Sequence, residues 1–228
     1  MKTRYLIPAG FALLAGIACA ANAATPVAEA DFAAAPARVA TPARSSAEAA
    51  LHQFAAQFRS EAGTLPQGFP LELDDVAQLQ NASLGYGFQV YDVDAASLAG
   101  GASLSDAARA TGTWRFAVSV NGRSVGLVTM VQDGVQWQAV SFGGAGLVKD
   151  MDAVVRAQVR GAQLRYLRLP QATADFIEVR GNGTAARFAP LRAARESLLL
   201  AQRGGDGLMA EAELLPELRD AVARNLDR

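Results

Sequence analysis

Thr113-Trp114-Arg115-Phe116-Ala117-Val118-Ser119-Val120, followed at once by Asn121-Gly122, decides how this chain folds. Apolar residues alternate with small or polar ones at period two, the pattern of a strand with one buried face. Asn-Gly is the dipeptide that tolerates positive φ at both centres of a type I′ hairpin turn. A second run, Ser124 to Gln132, ends at Asp133-Gly134, and a third extends from Val135 to Phe142. The reading is a meander of three consecutive antiparallel strands, with the rest of the chain packed around it.

If both turns are two-residue loops, Val118 faces Val125 and Phe116 faces Leu127; across the second turn Leu127 faces Val140 and Val125 faces Phe142. One face then carries Trp114, Phe116, Val118, Val125, Leu127, Val140 and Phe142. Burying each large side chain there is worth about 1.5–3 kcal/mol. The same register lines up small residues on the other face: Ala117 with Gly126 and Ser141, and Arg115 with Val128 and Ala139, while Met130 lies opposite Trp137. Small residues in a row across a sheet let a ligand or another backbone come close. Trp137, Met130, Arg115 and Ser141 are therefore the candidate ligand-binding residues, and a helix or loop of the chain itself lying in the trough is the alternative.

The first residues read as an export signal. Met1-Lys2-Thr3-Arg4 is a basic start, Leu6 to Ala18 is apolar but too short to span a membrane, and Ala21-Asn22-Ala23 is a small-x-small cleavage pattern. Residues 1–23 are expected to be a signal peptide and 24–45, rich in alanine and proline, a linker. Residues 46–228 are expected to form one α+β domain. Cleavage after Ala23 removes Cys19, the only cysteine, so the mature chain has no disulfide in a compartment that permits one. It also removes Lys2 and Arg4 from a total of 21 basic residues against 22 acids. The resulting acidic balance argues against a nucleic-acid partner. Lys149 is the only other lysine, and with the abundant alanine this suggests a GC-rich bacterial genome.

Outside the meander, Ser46 reads as a helix N-cap with Leu51, Phe54, Ala55 and Phe58 on one stripe, and Leu71 to Leu79 as a short helix. Tyr86, Phe88 and Val90 share one face of a strand whose Gly85 and Gly87 mark a bulge or a close approach. Gly143-Gly144-Ala145-Gly146 turns into a helix bearing Leu147, Met151, Val154, Val155 and Val159; it lacks the Gly-Lys-Ser/Thr ending of a phosphate loop. Gln163 to Leu169 is a further strand, and Phe176 to Arg180 pairs with Thr184 to Phe188 around Gly181-Asn182-Gly183. Pro190 is expected to open a helix, and Pro216 to break the last one.

Side-chain inventory narrows the chemistry. With His52 the only histidine and no cysteine in the mature chain, a Ser-His-Asp triad depends on one residue, thiol catalysis is closed, and a His/Cys zinc site lacks ligands. Paired carboxylates remain: Asp74 with Asp75, Asp92 with Asp94, Asp150 with Asp152. Aspartates beside turns are ordinarily solvated loop residues, so no catalytic residue, cofactor or metal ligand is assigned. Asp92-Val93-Asp94 also opens like a calcium loop, but Ser97 and Ser103 stand where that motif needs glycine and glutamate. The arginines between Arg156 and Arg195 are read as a solvated exterior paired with local acids, with a basic face for an anionic surface or acidic partner as the alternative.

A helix followed by a curved antiparallel meander resembles the general layout of cystatin-like and NTF2-like domains, which implies helices packed on a sheet. That resemblance is one of shape and carries no site residue across. The chain is expected to be an exported, periplasmic or secreted, non-catalytic module that binds a protein or small ligand on its sheet. A protease-inhibitor-like module using an exposed hairpin as a wedge, and a carboxylate-dependent hydrolase, are the alternatives.

Overall fold

The computed structural model describes residues 37–58, 63, 65–158, 162–181, 183–200 and 207–226. The expected signal peptide and residues 24–36 of the expected linker lie outside the described residues. The chain is α+β. In order, it forms α1 (Ala37–Gln57), a 3-10 helix (Val76–Asn81), β1 (Ala82–Val93), α2 (Ala95–Ala99), α3 (Leu104–Ala107), β2 (Ala108–Val120), β3 (Arg123–Asp133) and β4 (Gln136–Gly143). There follow α4 (Ala145–Ala157), β5 (Gln163–Leu169), β6 (Ala174–Arg180), β7 (Arg187–Pro190), α5 (Arg192–Ser197), β8 (Met209–Ala210) and α6 (Glu211–Leu226).

All eight strands belong to one sheet, in the order β4-β3-β2-β1-β5-β6-β7-β8. Every neighbouring pair is antiparallel except β1 and β5, which run parallel and join the first four strands to the last four. The sheet is thus mixed, and the hairpin around Gly181 extends it. Parallel neighbours need a crossover, and α4 supplies it, carrying the chain from the β4 edge to the sheet centre.

The register of the meander differs from the expected one at two bulges. Asn121-Gly122 is the two-residue turn, with φ of 51° and 76° and Val120 opposite Arg123. Ser119 then pairs with Ser124 but Val118 with Gly126, so Val125 is an extra residue on β3. Phe116 consequently faces Val128, and Leu127 moves to the other face beside Ala117. The Val125 carbonyl accepts the Glu72 N–H at 2.8 Å, which ties the preceding loop to the bulge. The second turn lies one residue later than expected, at Gly134-Val135, with Asp133 opposite Gln136. A second bulge leaves Val140 unpaired between Ala139 and Ser141. Each inserted residue reverses which face the following side chains take.

Three buried clusters fill the two faces. On the front, α1 and the 71–79 segment cover Trp114, Phe116, Val118, Val125, Val128 and Met130. A second cluster gathers α2, α3 and α6 around Leu167, Phe176 and Phe188. On the back, Val148, Met151 and Val155 of α4 pack on Phe88, Ala117, Leu127 and Tyr166.

Helix boundaries depart from the reading in four places. The short helix expected over Leu71 to Leu79 is a 3-10 helix at Val76–Asn81, started by the Asp75 cap. Helix α1 begins at Ala37, inside the segment read as linker. Its alanines are strong helix formers, Ala43 and Ala47 are fully buried, and Arg44 donates to the carbonyls of Leu84 and Gly85 at 3.1 and 2.8 Å. Pro190 ends β7 rather than opening a helix: it pairs with Phe176, while β8 reaches only Arg187 and Phe188, so no neighbour needs its missing N–H. Helix α6 continues through Pro216, because Leu214, Leu218, Ala221 and Val222 on either side are buried and outweigh the lost backbone bond, about 3 kcal/mol.

Candidate functional site

β4 is the long free margin of the sheet. Among the described residues it pairs with β3 alone, and its eight residues, Gln136 to Gly143, include no charged side chain. An edge strand presents unpaired N–H and C=O groups, and proteins commonly blunt it with charges, brevity or a bulge. The opposite margin, β8, is two residues long. β4 has only the bulge, and the bulge displays Val140, which is 58% exposed.

Half-buried aromatic residues line this margin. Phe142 stacks on Phe54 of α1 with ring centroids 4.3 Å apart and planes 17° apart. Phe54 meets Phe58 edge-on at 5.3 Å, and Phe58 meets Phe69 at the same distance. Trp137 packs against the front cluster as a half-buried neighbour. The local cause is the bulge in β4: strict alternation would send residues five apart to opposite faces, but the extra Val140 reverses the order, so Trp137, opposite Gln132, and Phe142, opposite Val128, both turn toward α1.

The structure divides the four sequence-predicted residues between the two faces. Met130 and Trp137 lie on the front, where Met130 is 0% exposed and belongs to the core. Arg115 and Ser141 lie on the back, linked through Thr129, which pairs with both. The small-residue trough does not form in the expected register. Ala117 is buried beneath α4, and Gly126 lies on the front, where a Cβ would come 2.5 Å from Leu71 Cδ2.

Arg115, Thr129 and Ser141 give the back face a polar row across β2, β3 and β4. The Arg115 guanidinium stands 5.8 Å from the centroid of the buried Tyr166 ring. Burial raises the Tyr166 hydroxyl well above its ordinary range, and the nearby Asp175 carboxylate reinforces the shift. Burial likewise raises Asp175, against the lowering effect of the Tyr166 hydroxyl and of Arg168 and Arg115. Asp175 also borders a pocket of about 240 Å³ together with Leu147, Asp150, Leu191, Arg192 and Glu196.

Four of the six carboxylates weighed as acid/base pairs hold backbone or side-chain donors. Asp75 accepts the Ala77 N–H at 2.7 Å, and Asp94 accepts the Ser97 N–H at 2.6 Å, both as helix caps. Hydrogen bonds from Ser97 hold Asp94 below its ordinary value. Asp152 accepts the Tyr86 hydroxyl at 2.9 Å, and Asp150 accepts the Arg192 N–H at 2.6 Å at the start of α5. His52 is exposed on α1. Among the described residues no cluster of three or more His, Cys, Asp or Glu side chains is placed to hold a metal ion, and no helix is long and apolar enough to cross a membrane.

One buried charge escaped the sequence reading. Glu178 is 0% exposed and accepts from Arg165 Nε, from Arg180 Nε at 2.7 Å and from Ser105 Oγ at 2.6 Å. The signal was available: alternation through Phe176-Ile177-Glu178 places the carboxylate on the same side as Phe176, toward the core.

Comparison with protein-family models, with curated proteins and with solved structures gave no match.

Proposed function

We propose that the protein is an exported, non-catalytic binding module that takes an extended segment of a partner protein along the outer edge of β4. The observation that carries this reading is an eight-residue edge strand without a charge, bordered by the half-buried rings of Trp137, Phe142, Phe54 and Phe58. Strand addition uses such a margin: backbone groups supply affinity and neighbouring side chains supply specificity. Aromatic residues are the usual anchors of protein interfaces. Export, to the periplasm or beyond, rests on the sequence of residues 1–23. The non-catalytic reading is supported by the capping and anchoring roles of Asp75, Asp94, Asp150 and Asp152. The cystatin-like or NTF2-like comparison also belongs to this proposal, supported by α1 lying across the meander.

Site-specific photocrosslinking tests the reading. A benzophenone side chain at Val140 should give a discrete adduct with one partner in the producing cells, whereas the same group at exposed Glu217 on α6 should not. Equal labelling from both positions, or none from Val140, would contradict it.

A further inference from the structure

The polar strip on the back of the sheet contains an orphaned donor. Arg115 Nε is buried and has no hydrogen-bond partner among the described residues. Buried donors are nearly always paired, so this one calls for an explanation. The guanidinium carbon stands 5.8 Å from the Tyr166 ring centroid, a contact that consumes none of its N–H groups. Pairing continues outward from Arg115 through Thr129 to Ser141, so their side chains share that face. Arg115 and Thr129 are half-buried and Ser141 exposed, so the row opens to solvent at its β4 end.

We propose that Arg115 anchors a binding site for a small monocarboxylate, with the hydroxyls of Thr129 and Ser141 as further donors. Guanidinium and carboxylate match as planar two-point partners. Nearby charges argue for a single negative group. The Asp175 carboxylate lies within electrostatic reach of Arg115, so further negative charge on a ligand there would be repelled. The site lies on the face opposite Trp137 and does not depend on partner binding at the β4 edge.

Nuclear magnetic resonance of the arginine Nε–H groups tests this directly on the whole protein, with Arg115→Lys identifying the resonance. Sodium acetate and sodium benzoate should shift the Arg115 signal saturably, while sodium chloride at matched ionic strength should leave it in place and sulfate should bind about tenfold more weakly or less. Thr129→Val should weaken the carboxylate response several-fold while the melting temperature stays near that of the unaltered chain. A signal that never saturates, that follows chloride equally, or that favours sulfate would overturn the assignment. Should Arg115→Lys fold poorly, the saturable carboxylate response is sought among all arginine Nε–H signals of the unaltered protein, and its weakening in Thr129→Val supplies the second test.

Discussion

The ring of Phe116 occupies the space that a Cβ on Gly87 would need. Phe116 and Gly87 are cross-strand partners on the front of the sheet, next to the irregularity between Leu84 and Gly87 in β1. The glycine is there for its missing side chain, since no positive φ is required at this position. Gly87→Ala should therefore destabilise by about 1–3 kcal/mol through overpacking, read as a lower urea midpoint with unchanged slope. Phe116→Ala should cost about 3–5 kcal/mol through lost burial and the cavity left behind. A neutral Gly87→Ala would mean that the ring moves aside freely.

Glu178 should make the fold acid-sensitive. Burial alone would push its carboxyl up, but hydrogen bonds from Arg165, Ser105 and Arg180 outweigh this and hold it below its ordinary value. Since the folded state then binds the proton less readily than the unfolded one, the stabilisation is present above the unfolded carboxylate range, near about pH 4.3, and is lost as pH falls through the folded value. Glu178→Gln, which leaves two arginines facing a neutral group, should cost about 3 kcal/mol at neutral pH. Urea denaturation at a series of pH values should show the gap between the two proteins narrowing on the acid side; a constant gap would assign the cost to packing instead.

Trp137 and Phe116 should separate binding from stability. Both are aromatic and both face α1, but Phe116 is 2% exposed and Trp137 is half-buried. Trp137→Ala should lower the melting temperature much less than Phe116→Ala, while weakening capture of the partner crosslinked at Val140. Equal destabilisation by the two variants would place Trp137 wholly within the core.

Much of the sheet was legible in the sequence. Alternation and the Asn121-Gly122 turn mark β2 and β3, and Gln163–Leu169 is a strand with the bounds the sequence suggested. The register was not legible, because a bulge leaves no residue-type signature: Val125 is as apolar as its neighbours, yet its insertion sends Leu127 to the back and Gly126 to the front. The site was affected for the same reason. Four residues expected on one face became two pairs, and Met130 passed into the core. Pro216 misled differently, since a local helix breaker was overruled by the apolar side chains flanking it.

Affinity of the crosslinked partner for Val140→Lys is the most direct measure of the central claim. Val140 is 58% exposed, so lysine there should leave the melting temperature nearly unchanged, within about 0.5 kcal/mol of stability, while placing a charge on the only long uncharged margin among the described strands. If the partner adds a strand to β4, its dissociation constant should rise by about tenfold or more. An unchanged dissociation constant for a fully folded Val140→Lys protein would contradict binding at this edge.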